Sequence, residues 1–316
     1  MIRRLLTNSL KQGVETARSC GKAILWPFRK RFPKRFSQTA VEIAASAAST
    51  EKFQRPAQND SAFRLFGVVI VVSLICSLLV AGATILLREK QQRNKQLERK
   101  RNVLVAAGIA TPKMSETEIE AGFARVRPVI VDFTTGKIDT SVDAARYDMQ
   151  RAAKDPDTSI AIDPAKDTAL LHRMPRHGIV YVLAGEKGTE KLILPISGLG
   201  LWSTIYGYIS LQNDGKTVSG LTFYQHGETP GLGGEIDNPA WRRQWQGKIA
   251  LGAAGEPVLQ VMRGKVDVSR SGSEHQVDGV SGATITSRAV GNMVNFWLGD
   301  AAYGKFIPLV LREGLP

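Results

Sequence analysis

The middle of the chain reads GIVYVL at residues 178–183 and LILPI at residues 192–196, with a short polar segment between the two runs. Three further runs, at residues 205–211, 220–224 and 257–261, are similarly short and rich in apolar or aromatic side chains. Runs of this length and composition are typical of β-strands and are short for a helix. We therefore expect all five runs to form strands.

Turn and helix signals surround these strands. The triplet Asn213, Asp214 and Gly215 is a strong hairpin signal between two of them. A helix start is predicted at Ser115, which is followed by acidic residues, and two helices near residues 285–297 and 304–311 close the chain. Strands gathered in runs, with helices at the ends, indicate an α+β fold of antiparallel strands with peripheral helices.

The segment DGVSGATITS at residues 278–287 opens the first of these closing helices. Apolar residues then recur at helical spacing, at Ile285, Ala289, Met293 and Phe296 or Trp297. The small residues Ser281, Gly282 and Ala283 allow the backbone to approach closely just before the Thr284 hydroxyl. Thr286 or Ser287 is expected to cap the helix, and a helix N-terminus offers N–H donors to a phosphate. Alone, the segment equally fits an ordinary turn with an N-cap.

Two glycine-rich segments, SGLGLWS at residues 197–203 and HGETPGLGGE at residues 226–235, match neither a dinucleotide fingerprint nor a P-loop. They predict a concave wall with flat apolar surface and hydroxyl groups, although loop architecture with core packing is the alternative. The candidate wall residues are Trp202, Ser203, Thr229 and Leu232.

The polar residues indicate a bound cofactor rather than side-chain catalysis. His226 and Glu228 have no obvious third partner for a metal, and we predict no metal site. The four histidines suggest no Ser-His-Asp or Cys-His arrangement. A domain that holds a cofactor, which itself does the chemistry, fits this pattern better.

An apolar run at residues 65–87 has no charge between Arg64 and Arg88. At about 1.5 Å per residue it reaches about 34 Å, enough to cross a bilayer core of about 30 Å. We expect one permanent transmembrane helix. Cys76 within it is interpreted as a packing residue, with ligation of an iron–sulfur cluster as the alternative.

The net charge of +13 is concentrated near the N-terminus. Residues 1–62 carry +8 and residues 63–110 carry +6, whereas residues 111–316 carry −1. Nucleic-acid binding by the C-terminal region is therefore not expected. The positive-inside rule does not settle the orientation, because the near and far flanks of the apolar run give opposite answers.

These features divide the chain into four parts. We expect a basic, disordered N-terminal arm at residues 1–62, a transmembrane helix at 63–88, a charged helical connector at 89–112 and a folded domain at 113–316.

Together, several segments closely resemble the C subunit of the bacterial Na⁺-translocating NADH:quinone reductase, over roughly residues 63–316. The resemblance is carried by the anchor with its REKQ exit at residues 88–91, and by GLWS at 200–203 leading to Tyr206 and Gly207. It continues through residues 226–239, HQVDG at 275–279, the SGAT motif at 281–284 and FWLGD at 296–300. Residues 1–62 are outside it.

The resemblance implies FMN esterified through its phosphate to Thr284, with Thr286 as the rival acceptor. It implies a flavin transferase that installs FMN from FAD after recognising residues 278–284. It also places the flavin against Trp202, Ser203, Thr229 and Leu232 and beside Ser281, Gly282 and Ala283.

By the same resemblance, the protein is an electron-relay subunit of the bacterial inner membrane. Its N-terminus would be cytoplasmic and its FMN domain periplasmic. Electrons from NADH would come from an iron–sulfur centre in the membrane part and pass toward a covalent FMN on the B subunit and then quinone. The implied partners are the other five subunits of the complex, notably those designated B, D, E and F.

Two alternatives remain at this stage. The flavin subunit of the Rnf electron transport complex shares the attachment motif and TPGLG at residues 229–233, although GLWS and FWLGD favour the sodium pump. A membrane-anchored binding or assembly module without flavin is the other, and the intact Thr284 argues against it.

Overall fold

The computed structural model describes residues 62–111, 114–186 and 188–313. The predicted N-terminal arm, with Cys20, lies outside these residues apart from its last position. The chain divides between Gly82 and Ala83 into two compact units.

The long helix α1, Ala62–Ala106, runs through the apolar segment and through the charged residues that follow it. Among the described residues, it alone is long and apolar enough to cross a membrane, by its length and composition. The side chains of its apolar segment are exposed, as expected for residues that would face lipid rather than a protein core.

A five-stranded antiparallel sheet forms the centre of the second unit, in the order β1-β4-β5-β6-β7. Its strands are β1 (Val126–Asp132), β4 (His177–Gly185), β5 (Gly188–Leu199), β6 (Thr204–Gln212) and β7 (Val218–Gln225). The predicted antiparallel strands are therefore present. At the predicted β6–β7 hairpin, Asp214 accepts hydrogen bonds from the backbone N–H groups of Lys216 and Thr217.

The apolar run at residues 178–183 is continuous because both faces of the sheet are covered. Val180 and Val182 point into the larger core, whereas Ile179, Tyr181 and Leu183 point into a second core on the opposite face. Side chains alternate between the faces of a strand, so burial on both faces removes the polar alternation of a half-exposed strand.

Helices and short strands complete the second unit. The remaining helices are α2 (Glu116–Phe123), α3 (Met149–Lys154), α4 (Pro239–Arg243), α5 (Thr284–Leu298) and α6 (Phe306–Glu313). Short 3₁₀ turns cover Gly233–Asp237, Ser273–His275 and Tyr303–Lys305. Two small ladders pair β2 (Ser159–Ala161) with β3 (Arg173–Pro175), and β8 (Gln260–Val261) with β9 (Gln276–Val277). The mixture of an antiparallel sheet and peripheral helices is the predicted α+β fold.

The strand expected at residues 257–261 and strand β1 differ from the sequence prediction, whereas the start of α2 agrees with it. The strand expected at residues 257–261 is reduced to Gln260–Val261, which pairs in parallel with β9. Strand β1 was not predicted; it lies at the edge of the sheet, where its Pro128 is tolerated although proline lacks a backbone N–H. The helix start at Ser115 is confirmed, with a capping box formed by Ser115 and Glu118.

Candidate functional site

A pocket of about 250 Å³ lies where three loops of the second unit meet. The loop between β5 and β6 supplies Leu201 and Trp202. The loop after β7 supplies Thr229 and Leu232, and the start of α5 supplies Thr284 and its neighbours. The two glycine-rich segments and the attachment-like motif, which are far apart in sequence, therefore form one concavity.

Six of the eight candidate residues line this pocket: Trp202, Thr229, Leu232, Gly282, Ala283 and Thr284. Trp202 is 69% exposed and offers a flat apolar face with no cover of its own. The lining also includes Ile285, which is exposed.

Ser203 and Ser281 do not line the pocket. The Ser203 hydroxyl accepts a hydrogen bond of 2.7 Å from the Gly227 N–H, so it joins the two glycine-rich loops to each other. Ser281 is exposed just before the left-handed turn at Gly282, whose φ of +75° is unfavourable for any residue with a Cβ.

The start of α5 has no side-chain cap. The prediction that Thr286 or Ser287 caps the helix is wrong, because both hydroxyls lie inside its first turn and bind elsewhere. The Ser287 hydroxyl accepts from the Val280 N–H at 2.9 Å, and the Thr286 hydroxyl donates to Glu228 at 2.5 Å. The first backbone N–H groups of this 15-residue helix therefore stay free of a side-chain cap beside the pocket.

The two threonines of the motif are in different environments. Thr284 is the first residue of α5 and is exposed on the pocket wall. Thr286 is only 1% exposed, and its hydroxyl proton is used in the bond to Glu228.

Glu228 is a functional candidate that the sequence did not single out beyond a weak metal pairing. It is 5% exposed, and its carboxylate contacts both the β5–β6 loop and α5. A charged residue inside a glycine-rich segment was the available signal, because a carboxylate among small residues needs buried partners.

His226 is engaged in hydrogen bonds rather than grouped with other metal ligands. Its Nε2 lies 2.7 Å from the Asp237 carboxylate, and its Nδ1 accepts from the Glu228 N–H at 3.2 Å. This pair of contacts places the ring proton on Nε2 when the imidazole is neutral. Within the described part of the chain, no cluster of three His, Cys, Asp or Glu side chains has metal-binding geometry.

Asp278 anchors the segment that leads to Thr284. Its carboxylate accepts from the Val266 N–H at 2.7 Å, and its carbonyl accepts from the indole N–H of Trp241 at 2.7 Å. Its own N–H donates to the Gln244 side chain at 3.1 Å. These three bonds hold the start of the motif against the core and leave Thr284 at the pocket.

A second cavity of about 170 Å³ lies away from the candidate residues. Its lining includes Gln150, Arg173, Tyr206 and Tyr224. None of the eight candidate residues contributes to it.

A comparison with known protein families identifies the same part of the chain as the pocket does. Residues 200–299 match the family model of the FMN-binding domain, and this interval contains all three loops of the pocket. The fold and the site thus define a protein of the FMN-binding domain class.

More specific similarity comes from whole-chain relatives. The chain is 43% identical over 262 residues to the C subunit of the Na⁺-translocating NADH-quinone reductase of Yersinia pestis, covering 82% of this chain and 97% of that protein. It is 42% identical over 259 residues to the same subunit of the Pseudomonas aeruginosa reductase, covering 82% and 99%. The chain belongs to the family of C subunits of the Na⁺-translocating NADH-quinone reductase.

Solved structures lead to the same family. The crystal structure of Shewanella oneidensis NqrC has a TM-score of 0.62 and 34% identity, covering 68% of this chain and 96% of that one. The crystal structure of the C subunit of the Parabacteroides distasonis reductase gives a TM-score of 0.52 at 28% identity, covering 70% and 96%.

Proposed function

We propose that this protein is the FMN-carrying electron-relay subunit of a Na⁺-translocating NADH-quinone reductase. In this proposal FMN is joined to the chain by a phosphoester with the Thr284 hydroxyl. The observation that carries it is the exposed Thr284, placed at the uncapped N-terminus of α5 and on the wall of an apolar pocket.

The residues present fit the two chemical ends of FMN. Trp202 and Leu232 supply exposed apolar surface of the kind that contacts an aromatic ring system. The first N–H groups of α5 and the positive end of its dipole favour a phosphate at Thr284. Arg288, exposed one helical turn further on, adds a positive charge at the (i, i+4) position.

The contrast between the two threonines supports Thr284 as the acceptor. Esterification requires a hydroxyl that a transferase and its flavin substrate can reach. Thr284 is exposed, whereas Thr286 is buried and hydrogen-bonded to Glu228. Modification of Thr286 would break that bond and open the first turn of the helix.

FMN supplies one- and two-electron redox chemistry when it is bound. The chain holds it in place, shields one side of the pocket with apolar residues and fixes the phosphate end at a helix terminus. We propose that electrons come from an iron–sulfur centre in the membrane part of the complex and go toward a covalent FMN on the B subunit and then quinone. Covalent attachment prevents loss of the cofactor from a domain that moves between donor and acceptor.

The partners and location follow from the same proposal. Residues 63–88 anchor the chain in the bacterial inner membrane. Residues 89–112 connect this anchor to the FMN domain, which residues 113–316 form. The N-terminal arm, residues 1–62, is cytoplasmic and the FMN domain is periplasmic. The B, D, E and F subunits of the complex are the expected neighbours, and a flavin transferase matures the protein.

Peptide mass spectrometry of the protein purified from its own membranes tests the proposal. Cleavage after Arg270 and Arg288 releases residues 271–288, which contain both threonines. We expect this peptide to be heavier by one FMN residue, with fragmentation placing the added mass on Thr284.

A matched pair of variants separates the acceptors. Thr284→Ala should yield an unmodified peptide, whereas Thr286→Val, which removes the rival hydroxyl, should keep the modification. An unmodified wild-type peptide from cells with an active flavin transferase would instead favour a binding module without flavin.

A further inference from the structure

Glu228 carries out no step in the proposed relay. It is nevertheless a buried acidic residue that accepts hydrogen bonds from two of the pocket segments. Its Oε1 accepts hydrogen bonds from the Leu201 N–H at 2.9 Å and the Trp202 N–H at 3.1 Å. Its Oε2 accepts from the Thr286 hydroxyl at 2.5 Å. Glu228 belongs to the loop after β7. Its carboxylate therefore joins that loop to both the β5–β6 loop and the first turn of α5.

The surrounding backbone is fitted closely to this carboxylate. A Cβ at Gly200 would lie 2.5 Å from Oε1, and a Cβ at Gly233 would lie 2.7 Å from Oε2. Both separations are too short for a carbon atom beside an oxygen. The absence of a Cβ at Gly200 and Gly233 therefore leaves room for the two carboxylate oxygens of Glu228.

The three hydrogen bonds have few substitutes. The loop that contains Leu201 and Trp202 lies outside the regular ladder, and Glu228 Oε1 is the acceptor for both of its N–H groups. Hydrogen bonds to an ionised acceptor are stronger than bonds between neutral groups. The Thr286 hydroxyl is buried, and a buried donor left without an acceptor incurs a desolvation penalty.

We propose that Glu228 is a positioning residue that clamps the Leu201–Trp202 wall to the first turn of α5. The clamp forms the pocket in the protein before any cofactor is attached. It also occupies the Thr286 hydroxyl, so that of the two threonines Thr284 keeps its hydroxyl free for the pocket. The inference rests on the proposed function only in taking FMN as the occupant of this pocket.

Amide hydrogen exchange of the full chain, made without flavin transferase, tests the clamp directly. Glu228→Ala should lower the protection of the Leu201 and Trp202 amides at least about tenfold and should also lower that of the Ser287 amide, which donates to the Ala283 carbonyl. Glu228→Gln should retain most of the protection, because its amide oxygen accepts from the loop and its NH₂ donates to Thr286. Glu235→Gln, in the same loop but bonded to Asn238, is the matched control and should match the wild type.

A second variant keeps the test decisive if Glu228→Ala does not fold. Thr286→Val removes only the helix side of the clamp. It should raise exchange at the Ser287 amide while the Leu201 and Trp202 amides stay protected. Wild-type protection of both segments in a folded Glu228→Ala protein would overturn the proposal, as would equal loss in the Glu235→Gln control.

The flavin-loaded protein provides an independent readout. After coexpression with the transferase, the visible circular dichroism of FMN should decrease in Glu228→Ala and be restored in Glu228→Gln, at equal FMN content. Absence of FMN from the wild type would defeat the proposed function while leaving the exchange result on Glu228 standing. An unchanged spectrum in Glu228→Ala, with FMN attached, would show that Glu228 does not position the wall.

Discussion

The tyrosines on one face of the sheet show how a single side chain responds to its surroundings. Tyr224 stacks at 5.0 Å from Tyr208, which lies 6.1 Å from Tyr181. Burial raises the pKa of Tyr224 to about 12, against which the hydrogen bond from Gln150 acts in the lowering direction. The neutral phenol is therefore favoured in the folded state.

This shift predicts a loss of stability at high pH. The unfolded Tyr224 releases its proton near pH 10 and the folded one near pH 12, so between these values the unfolded state binds fewer protons. The contribution of Tyr224 is present below pH 10 and is lost as the pH rises to 12, by up to about 1.4 kcal/mol per pH unit.

Tyr224→Phe should make the decline above pH 10 shallower, as measured by urea unfolding at a series of pH values. Between pH 6 and 9 the stability curves of variant and wild type should run parallel. Equal slopes above pH 10 would contradict the assignment.

At the residue scale, much of the pocket was predictable because its residues lie in short motifs whose side-chain types indicate a binding site. Trp202, Thr229, Leu232 and Thr284 were selected from the sequence, and the structure gathers them on one wall. Glu228 was not given its role, because the importance of a buried carboxylate depends on partners that local sequence does not reveal.

At the element scale, the end of α1 is fixed to the sheet. Val103, Leu104, Ala106 and Ala107 are all buried in the second core. Lys191 on β5 donates a hydrogen bond of 2.7 Å to the Ala107 carbonyl. A cation at the C-terminal end of a helix satisfies a free carbonyl and opposes the negative end of the dipole.

Lys191→Met should therefore destabilise the second unit by about 1 kcal/mol, since it removes a charged hydrogen bond and keeps most of the aliphatic stem. Chemical denaturation followed by tryptophan fluorescence measures the change. Lys137→Met, at an exposed lysine, should leave the midpoint unchanged. Equal midpoints for both variants would mean that the contact contributes nothing.

Elements with local signals were predicted and those without them were not. The apolar runs predicted strands β4 to β7, and the capping residues predicted α2. Strand β1 was not predicted, and it lies at the edge of the sheet, where Pro128 is tolerated. The position of a strand within a sheet is a tertiary property.

At the scale of the whole molecule, the orientation of the anchor decides on which side of the membrane the second unit lies. The distribution of positive charges does not settle the orientation. The proposed function places the second unit in the periplasm. Ser271 is exposed and does not line the pocket.

Cysteine labelling tests this placement. In a chain with Cys20 and Cys76 replaced by serine, Ser271→Cys should react with a membrane-impermeant maleimide in intact cells, because its side chain would be periplasmic. A chain that keeps only Cys20 should react only after lysis. Labelling in the reverse order would place the FMN domain in the cytoplasm.

The sequence by itself determined strands β4 to β7, the start of α2, the apolar anchor and the order of the motifs, because each depends on neighbours a few residues away. Only the tertiary structure decided which threonine stays free. Both threonines line the pocket, but Thr286 is buried and bonded to Glu228, 58 residues away along the chain, whereas Thr284 is exposed. That choice depends on packing between distant loops, and no local pattern encodes it.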